Sequence, residues 1–213
     1  MSLPANPRRY TLEEYFKIER MSREKHEYRD GYIVNLNEVV AMAGSGVDHS
    51  RISANVAAAL VTRLRGGSCA VFSSDLRVRI PRKVLWTYPD ATVICGKPEV
   101  EPIPGVGDTA TNPHTIIEVL SPSTESYDRG DKFARYREIP SLREYVLVSQ
   151  HEPRVEVFHL KEDGAWVFLP VAGLEAQAPL LSLKIEVPLR EIYSGVDFPS
   201  AAEEANNSVP RER

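Results

Sequence analysis

Residues 112–124 read NPHTIIEVLSPST and place one carboxylate inside an apolar, β-branched segment. The residues from His114 to Leu120 predict a strand that is buried on both faces, and the Ser-Pro-Ser-Thr run predicts a turn after it. Burial of an unpaired carboxylate is costly, so Glu118 is expected to face a cation, a metal ion or a shared proton. The strand is therefore expected to lie beside a second charged group.

Helices and strands are predicted on both sides of this strand. In chain order the pattern predicts a helix over 47–67, strands within 69–81, 87–96 and 115–120, a helix that Pro140 ends, and a strand over 144–149. This α-β-β-β-α-β order over residues 48–149 predicts an α/β (mixed α+β) fold, with a mixed sheet flanked by helices. Residues 97–113 are rich in Pro and Gly and predict a long exposed loop.

Both ends of the chain add smaller elements. Thr11 and Glu14 have the spacing of a capping box, which predicts an N-terminal helix, and Asp30-Gly31 predicts a hairpin after it. A second hairpin is predicted around Asp163-Gly164, followed by a strand and a short helix. We expect one domain over 10–198, a flexible N-terminus over 1–9 and a disordered tail over 199–213.

Composition limits the class of protein. The chain has 213 residues, 42% of them hydrophobic, which is enough for a core, and its net charge of −4 argues against a general nucleic-acid coat protein but not against a locally basic cleft. Cys69 and Cys95 lack metal-site spacing and are expected to be buried free thiols. Since no segment approaches the roughly 20 apolar residues of a membrane span, we expect a cytoplasmic protein without membrane contact.

Two acids lie in or next to consecutive predicted strands. Asp90 follows Pro89 at the start of one strand, and Glu118 lies within the next strand along the chain. If these strands are adjacent in the sheet, both carboxylates point into one cleft, where their oxygens suit Mg²⁺ or Mn²⁺. The following helix brings Asp128, Asp131 and Lys132 back toward the same cleft.

The ordered set YPDATVIC, TIIEVLSPST and DRGDKFARYREIPSLREYVLVS resembles the PD-(D/E)XK, or restriction-endonuclease-like, superfamily, and more specifically its Uma-type branch of endonucleases. The resemblance extends over about residues 10–196. It implies a nuclease core that hydrolyses phosphodiester bonds with a divalent metal ion. Asp90 and Glu118 would be the metal ligands, and the main-chain carbonyl of Val119 would add a third. The superfamily pattern places Lys two residues after the Glu, where this chain has Leu120, so Lys132 would be the migrated substitute.

The resemblance also suggests accessory residues. Glu27 in HEYRDG would be an accessory acid for a second metal or a ligand, and His49 in DHSRIS would contact phosphate or only cap its helix. Asp75 is another candidate acid, although the sequence favours a turn or hydrogen-bonding role for it. Arg77 and Arg79 alternate on one predicted strand, where they would contact a DNA backbone or form a solvated face.

The resulting hypothesis is a metal-dependent endonuclease that acts on DNA, as a homodimer by analogy with proteins of this fold. Two other functions fit: a nuclease-fold module without catalysis that binds nucleic acid or protein, and a metal-dependent hydrolase of a small phosphoester. Structural explanations also exist for the acids and the lysine. Glu118 would then pair with an arginine such as Arg129 or Arg135, and Lys132 would face water.

Overall fold

The computed structural model of the protein describes residues 8–36, 46–80 and 84–198. The predicted tail over 199–213 and most of the predicted flexible N-terminus lie outside these residues. The helices are α1 (Leu12–Met21), α2 (Val47–Leu64), α3 (residues 125–136) and α4 (Leu189–Ile192). The strands are β1 (His26–Arg29), β2 (Tyr32–Asn35), β3 (Cys69–Ser73), β4 (Arg77–Ile80), β5 (Leu85–Thr87), β6 (Ala91–Cys95), β7 (Val100–Ile103), β8 (Gly107–Ala110), β9 (Thr115–Val119), β10 (Glu144–Val148), β11 (Arg154–Leu160), β12 (Trp166–Ala172), β13 (Gln177–Leu180) and β14 (Ile185–Pro188).

The central sheet contains the predicted α-β-β-β-α-β core. Its strand order is β12-β11-β10-β9-β6-β3, and α2, β3, β6, β9, α3 and β10 follow one another along the chain as expected. β9 pairs parallel with β10 and antiparallel with β6, so the sheet is mixed and the predicted fold class is confirmed. A shared cleft for Asp90 and Glu118 requires that β6 and β9 be adjacent, and they are.

A second sheet, with the order β2-β1-β5-β4-β8-β7, packs beside the central one and corrects two predictions. Residues 97–113 are not a long loop, because β7 and β8 form a hairpin and β8 pairs in parallel with β4. The segment 69–81 is not one strand either, since β3 belongs to the central sheet and β4 to the second. In both cases pairing with distant strands overrides the weak local propensity of the sequence.

The two faces of β9 contact different parts of the core. Ile117 and Val119 pack in the cluster that α2 covers. Ile116 and Leu120 pack in the cluster between the central sheet, the second sheet and α3. Because side chains alternate along a strand, Glu118 shares the face of Ile116 and Leu120 and is directed toward α3.

Local signals at both ends of the chain are confirmed. The Thr11 side chain accepts a hydrogen bond from the Glu14 backbone, and the Glu14 carboxylate accepts one from the Thr11 backbone, as a capping box requires. Asp30 and Gly31 both have positive φ, at 51° and 92°, which suits the tight turn between β1 and β2. β11 and β12 form the predicted hairpin around Gly164.

The prediction of free thiols is wrong. Cys69 and Cys95 are directly opposite each other in the antiparallel pairing of β3 and β6, and their sulfurs form a disulfide. Two cysteines 26 residues apart along the chain carry no local signal of this contact, which depends on strand register. Among the described residues, no helix has the length and apolar character needed to cross a membrane.

Candidate active site

Helix α3 contains a π-helical turn that carries Lys132. The helix is α-helical over Glu125–Tyr127, π-helical over Asp128–Lys132 and α-helical again over Phe133–Tyr136. Such a turn inserts a residue into the helix and changes the direction of the side chains around it, and it is frequent at functional sites. Here it accompanies a buried lysine that is directed toward the central sheet.

Lys132 contacts the acid of the buried strand. Its Nζ atom lies 2.8 Å from Glu118 Oε1 and 3.2 Å from Asp128 Oδ1. Position 120, where the superfamily pattern has its lysine, holds a leucine that is 2% exposed and part of the core. Lys132 therefore brings an ammonium group to Glu118 from the helix that follows the strand.

Asp90 reaches the same place from the strand beside β9. It immediately precedes β6, and its Oδ2 atom accepts a hydrogen bond of 2.7 Å from the backbone N–H of Val119. His49 Nε2 lies 3.1 Å from the Val119 carbonyl oxygen and 3.6 Å from Asp90 Oδ2. Since a carbonyl oxygen only accepts, this contact requires a proton on Nε2. His49 does not cap α2, whose N-cap is Gly46.

A cavity of about 380 Å³ joins these groups, and we call it the central cavity. Five of the predicted site residues line it, namely His49, Asp90, Glu118, Val119 and Lys132. The other lining residues are mainly polar: Lys25, Leu36, Ser50, Ser53, Ser74, Tyr88, Ser121, Thr124 and Asp128. The strands and helices of the fold thus bring the two acids and the lysine to one solvent-accessible space.

Burial raises the pKa of two acids that line the central cavity, Asp90 and Glu118. Burial raises the pKa of the Glu118 carboxyl, Asp128 and Asp90 raise it further, and despite the opposing ammonium of Lys132 it lies at about 8. Burial likewise raises the pKa of Asp90, although His49 and the Val119 N–H act in the opposite direction. An added cation would stabilise the ionised form of both acids.

Lys132 keeps its proton in this environment. Burial alone lowers the pKa of its ammonium group, but the carboxylates of Asp128, Glu118 and Glu27 outweigh burial and hold that pKa well above its usual value. The side chain is therefore a hydrogen-bond donor and a positive charge at neutral pH.

Asp128, which the sequence placed near the cleft, and Tyr136, which it did not, complete the structure of the site. The Tyr136 hydroxyl donates a hydrogen bond of 2.8 Å to Glu118 Oε1, and Asp128 is 2% exposed beside Lys132. Residues four apart lie on one face of a helix, so the spacing of Asp128, Lys132 and Tyr136 is the signal that identifies them together. Asp131, one position away from that face, is exposed.

Glu27 lies behind the central cavity and does not line it. Its carboxylate accepts hydrogen bonds of 2.7 Å from the Thr87 hydroxyl and from the Tyr127 hydroxyl, and the residue is 3% exposed. It acts on the site through charge, as one of the carboxylates that favour the Lys132 ammonium.

Three other predicted residues lie outside the central cavity. Asp75 is an exposed turn residue whose carboxylate is 2.7 Å from Lys25 Nζ, and that pairing lowers the pKa of Asp75. Arg77 is 1% exposed and donates to Thr109 and Tyr88, so the solvated face expected at β4 is not found and Arg77 is not accessible to a DNA backbone. Arg79 is half-buried and pairs with Glu101.

The arginines that offered an alternative partner for Glu118 are paired elsewhere. Arg129 contacts Glu125 and Glu156, and Arg135 contacts Asp30. Glu118 therefore has Lys132 as its cation.

The donor atoms in the central cavity fit a hard divalent ion. No set of three or more His, Cys, Asp or Glu side chains is arranged to hold a metal within residues 8–36, 46–80 and 84–198. Mg²⁺ needs fewer protein ligands, since it usually keeps several waters and binds one or two carboxylates. Asp90, Glu118 and the Val119 carbonyl supply such a set, and because burial raises the pKa of both acids, a bound cation would favour their ionised forms.

Comparisons with known proteins agree with this architecture. The family model Uma2, described as "Putative restriction endonuclease", matches residues 12–190. Two uncharacterized proteins of Synechocystis sp. are similar to the chain. One, slr1290, is 36% identical over 189 residues, covering 87% of this chain and 92% of that protein. The other, sll1609, is 31% identical over 185 residues, covering 87% of this chain and 100% of that protein.

A solved structure shares the fold. A crystal structure described as "a putative nuclease belonging to DUF820", from Anabaena variabilis, matches with a TM-score of 0.62 at 18% identity, covering 86% of this chain and 97% of that one. At this level of identity the match extends to the fold alone.

Proposed function

The chain belongs to the Uma2 family, as its sequence resemblance predicted, and we propose that it is a divalent-metal-dependent nuclease that hydrolyses phosphodiester bonds in DNA. One observation carries the proposal: Lys132 Nζ lies 2.8 Å from Glu118 Oε1 in the cavity that Asp90 also lines. Two acids and a lysine are thus together although Leu120 has replaced the lysine of the superfamily pattern. These are charged groups of the kind that metal-assisted phosphoryl chemistry uses.

Asp90, Glu118 and the main-chain carbonyl of Val119 would hold Mg²⁺ or Mn²⁺. Such an ion supplies Lewis acidity toward the phosphate and lowers the pKa of a water bound to it. The Val119 N–H orients Asp90 by donating to its carboxylate, and the Tyr136 hydroxyl orients Glu118 in the same way. Both ligands are therefore held by hydrogen bonds from groups that are themselves fixed.

Lys132 would act on the phosphate through its positive charge. An ammonium whose pKa is held well above its usual value is a poor base, so the side chain would orient the attacking water and stabilise charge on the phosphate. Asp128 and Glu118 restrain the amine by contacts of 3.2 and 2.8 Å, which reduces the freedom of a flexible side chain.

The test is cleavage of supercoiled plasmid and of single-stranded DNA with Mn²⁺, Mg²⁺ or EDTA. Wild type is compared with Asp90→Ala, Glu118→Ala and Lys132→Ala, purified in parallel. The control is Asp163→Ala, which removes an exposed acid paired only with Lys161 and the neighbouring turn among the described residues. We expect metal-dependent cleavage by wild type and the control, and activity at the EDTA background for the three cavity variants.

Other results would exclude the proposal. Equal cleavage by all five proteins would indicate a contaminant. No cleavage of any DNA by folded wild type, together with metal-independent DNA binding, would favour the module without catalysis. Hydrolysis of a small phosphoester but not of DNA would favour the third function. If only Asp90→Ala and Glu118→Ala lost activity, the proposed metal site would stand, but the proposed role of Lys132 would be excluded.

We also propose that the active form is a homodimer, because cutting both strands of a duplex requires two sites. Sedimentation equilibrium of the metal-free protein measures this directly. A monomer at all concentrations that nevertheless linearises plasmid would contradict it.

A further inference from the structure

A second cavity lies beside the central one on α3. It measures about 440 Å³ and is bounded by the β1–β2 hairpin on one side and α3 on the other. Arg29, Tyr32, Tyr127 and Arg135 contribute to its wall, while none of Asp90, Glu118 and Lys132 does. The two cavities thus share one helix and differ in their lining groups.

Arg29 is a buried cation in this wall without a carboxylate partner among the described residues. The residue is 7% exposed, and its guanidinium carbon lies 4.3 Å from the centroid of the Tyr127 ring. It makes no ion pair or side-chain hydrogen bond with any residue in the described part of the chain. Some described side-chain nitrogens, such as Arg77 Nη2, are fully buried and have no hydrogen-bond partner. The nitrogens of Arg29 are not among these atoms, so they are not sealed from solvent. The N–H groups of Arg29 therefore open into the cavity.

The nearby acids are already engaged or turned to solvent. Glu27, two residues earlier on the same face of β1, accepts from Thr87 and from the Tyr127 hydroxyl. Asp30 accepts from both terminal nitrogens of Arg135, at 3.3 and 2.5 Å. Asp131 also lines the cavity and is exposed, near Arg135.

The charged residues that line the second cavity are Arg29, Arg135, Asp30 and Asp131, so their formal charges balance. Arg135 is paired with Asp30, and Asp131 is exposed. Arg29 is therefore the buried arginine of this lining that has no carboxylate partner among the described residues. Outside the lining, Arg9 stacks over Tyr32, with its guanidinium carbon 5.4 Å from the ring centroid.

We propose that the second cavity binds an oxyanion of the phosphate class, with the guanidinium of Arg29 as its main contact. A buried charge needs a counter-charge, and the planar guanidinium fork matches two oxygens of a phosphate. The stacking on Tyr127 fixes the plane of the fork before the ligand arrives. The phosphate comes either from a nucleic-acid backbone held beside the central cavity or from free phosphate, and the site itself does not depend on catalysis.

The experiment measures binding of inorganic phosphate to the metal-free full-length protein by isothermal titration calorimetry in a buffer without other oxyanions. Arg29→Met keeps the length of the side chain and removes the charge, and we expect it to weaken phosphate binding by about tenfold to a hundredfold. Arg137→Met is the matched control, since Arg137 is an exposed arginine of the same region that stacks over Phe133 and lines neither cavity.

A second arm identifies the source of the phosphate. A duplex oligonucleotide is titrated in EDTA, with and without inorganic phosphate as competitor. If Arg29→Met weakens binding of both ligands and they compete, the site holds nucleic-acid backbone; if it weakens phosphate binding alone, the ligand is the free anion. Either result supports an oxyanion site at Arg29.

Two results overturn the proposal. One is the absence of saturable phosphate and oligonucleotide binding by wild type, which is decisive even if Arg29→Met fails to fold. The other is binding that Arg29→Met and Arg137→Met weaken equally. Absence of DNA cleavage would count against the proposed nuclease and leave this binding result unaffected.

Discussion

Replacing Glu118 by Gln is expected to stabilise the metal-free protein in alkaline solution while abolishing its cleavage activity. The carboxyl is buried beside Asp90 and Asp128, and its pKa is raised from 4.5 to about 8. Glutamine keeps an oxygen for the Tyr136 hydroxyl and for Lys132 but carries no charge. The variant removes the cost of ionising a buried group and retains an acceptor for the Tyr136 hydroxyl.

The direction and size of the effect follow from proton linkage. Below about pH 4.5 the carboxyl is protonated in both the folded and the unfolded protein, and its ionisation costs nothing. As the pH rises from 4.5 to about 8 the unfolded chain loses the proton first, so the free energy of unfolding falls. At about 1.4 kcal/mol for each tenfold step, the full loss is roughly 5 kcal/mol. The variant should therefore exceed wild type by a few kcal/mol at about pH 9 and match it near pH 4.5.

Urea unfolding in EDTA at several pH values between about 4.5 and 9 measures this difference. The control is Glu191→Gln, because Arg63 lowers the pKa of Glu191 and its loss should slightly destabilise the protein at high pH. Mg²⁺ or Mn²⁺ at about pH 8 should stabilise wild type and have little effect on Glu118→Gln, since a ligand that binds only the folded state stabilises it. A Glu118→Gln variant that is less stable than wild type in alkaline solution would refute the reasoning.

Three further predictions concern residues that the fold buries or links. Lys132→Met should lower the free energy of unfolding by about 3–5 kcal/mol at neutral pH, because it removes the cation beside the buried Asp128 and Glu118 side chains. Lys161→Met, at an exposed pair, should change it by less than about 1 kcal/mol in the same urea titration. Replacing Cys69 and Cys95 together by Ala should cost about 3 kcal/mol under oxidising conditions, given their separation of 26 residues, and dithiothreitol should remove the difference from wild type. Arg77→Met should destabilise the protein by a few kcal/mol through its lost buried contacts and leave the affinity for a duplex oligonucleotide unchanged in a fluorescence anisotropy titration; a weaker affinity with unchanged stability would contradict this.

Local patterns in the sequence predicted much of the fold. The apolar run around Glu118, the helical spacing of α2 and the Asp-Gly hairpins are encoded within short segments, so they identified the order of the core elements. The capping box at Thr11 is equally local. The isolated acid in a buried strand also indicated that a cation, a metal ion or a shared proton was required. The family resemblance, whose lysine position is occupied by Leu120, pointed to Lys132 on the next helix.

The contacts between distant segments were decided by the tertiary structure. β8 forms because it pairs with β4, and the disulfide forms because β3 and β6 align Cys69 with Cys95; neither contact leaves a trace in the composition of its segment. The π-helical turn of α3, which accompanies the contact of Lys132 with Glu118, is a further example. Propensity and periodicity act over a few residues, whereas strand register and burial depend on the whole packed core. For this reason the sequence alone could propose the acids and the lysine, and only the fold could bring them into one cavity.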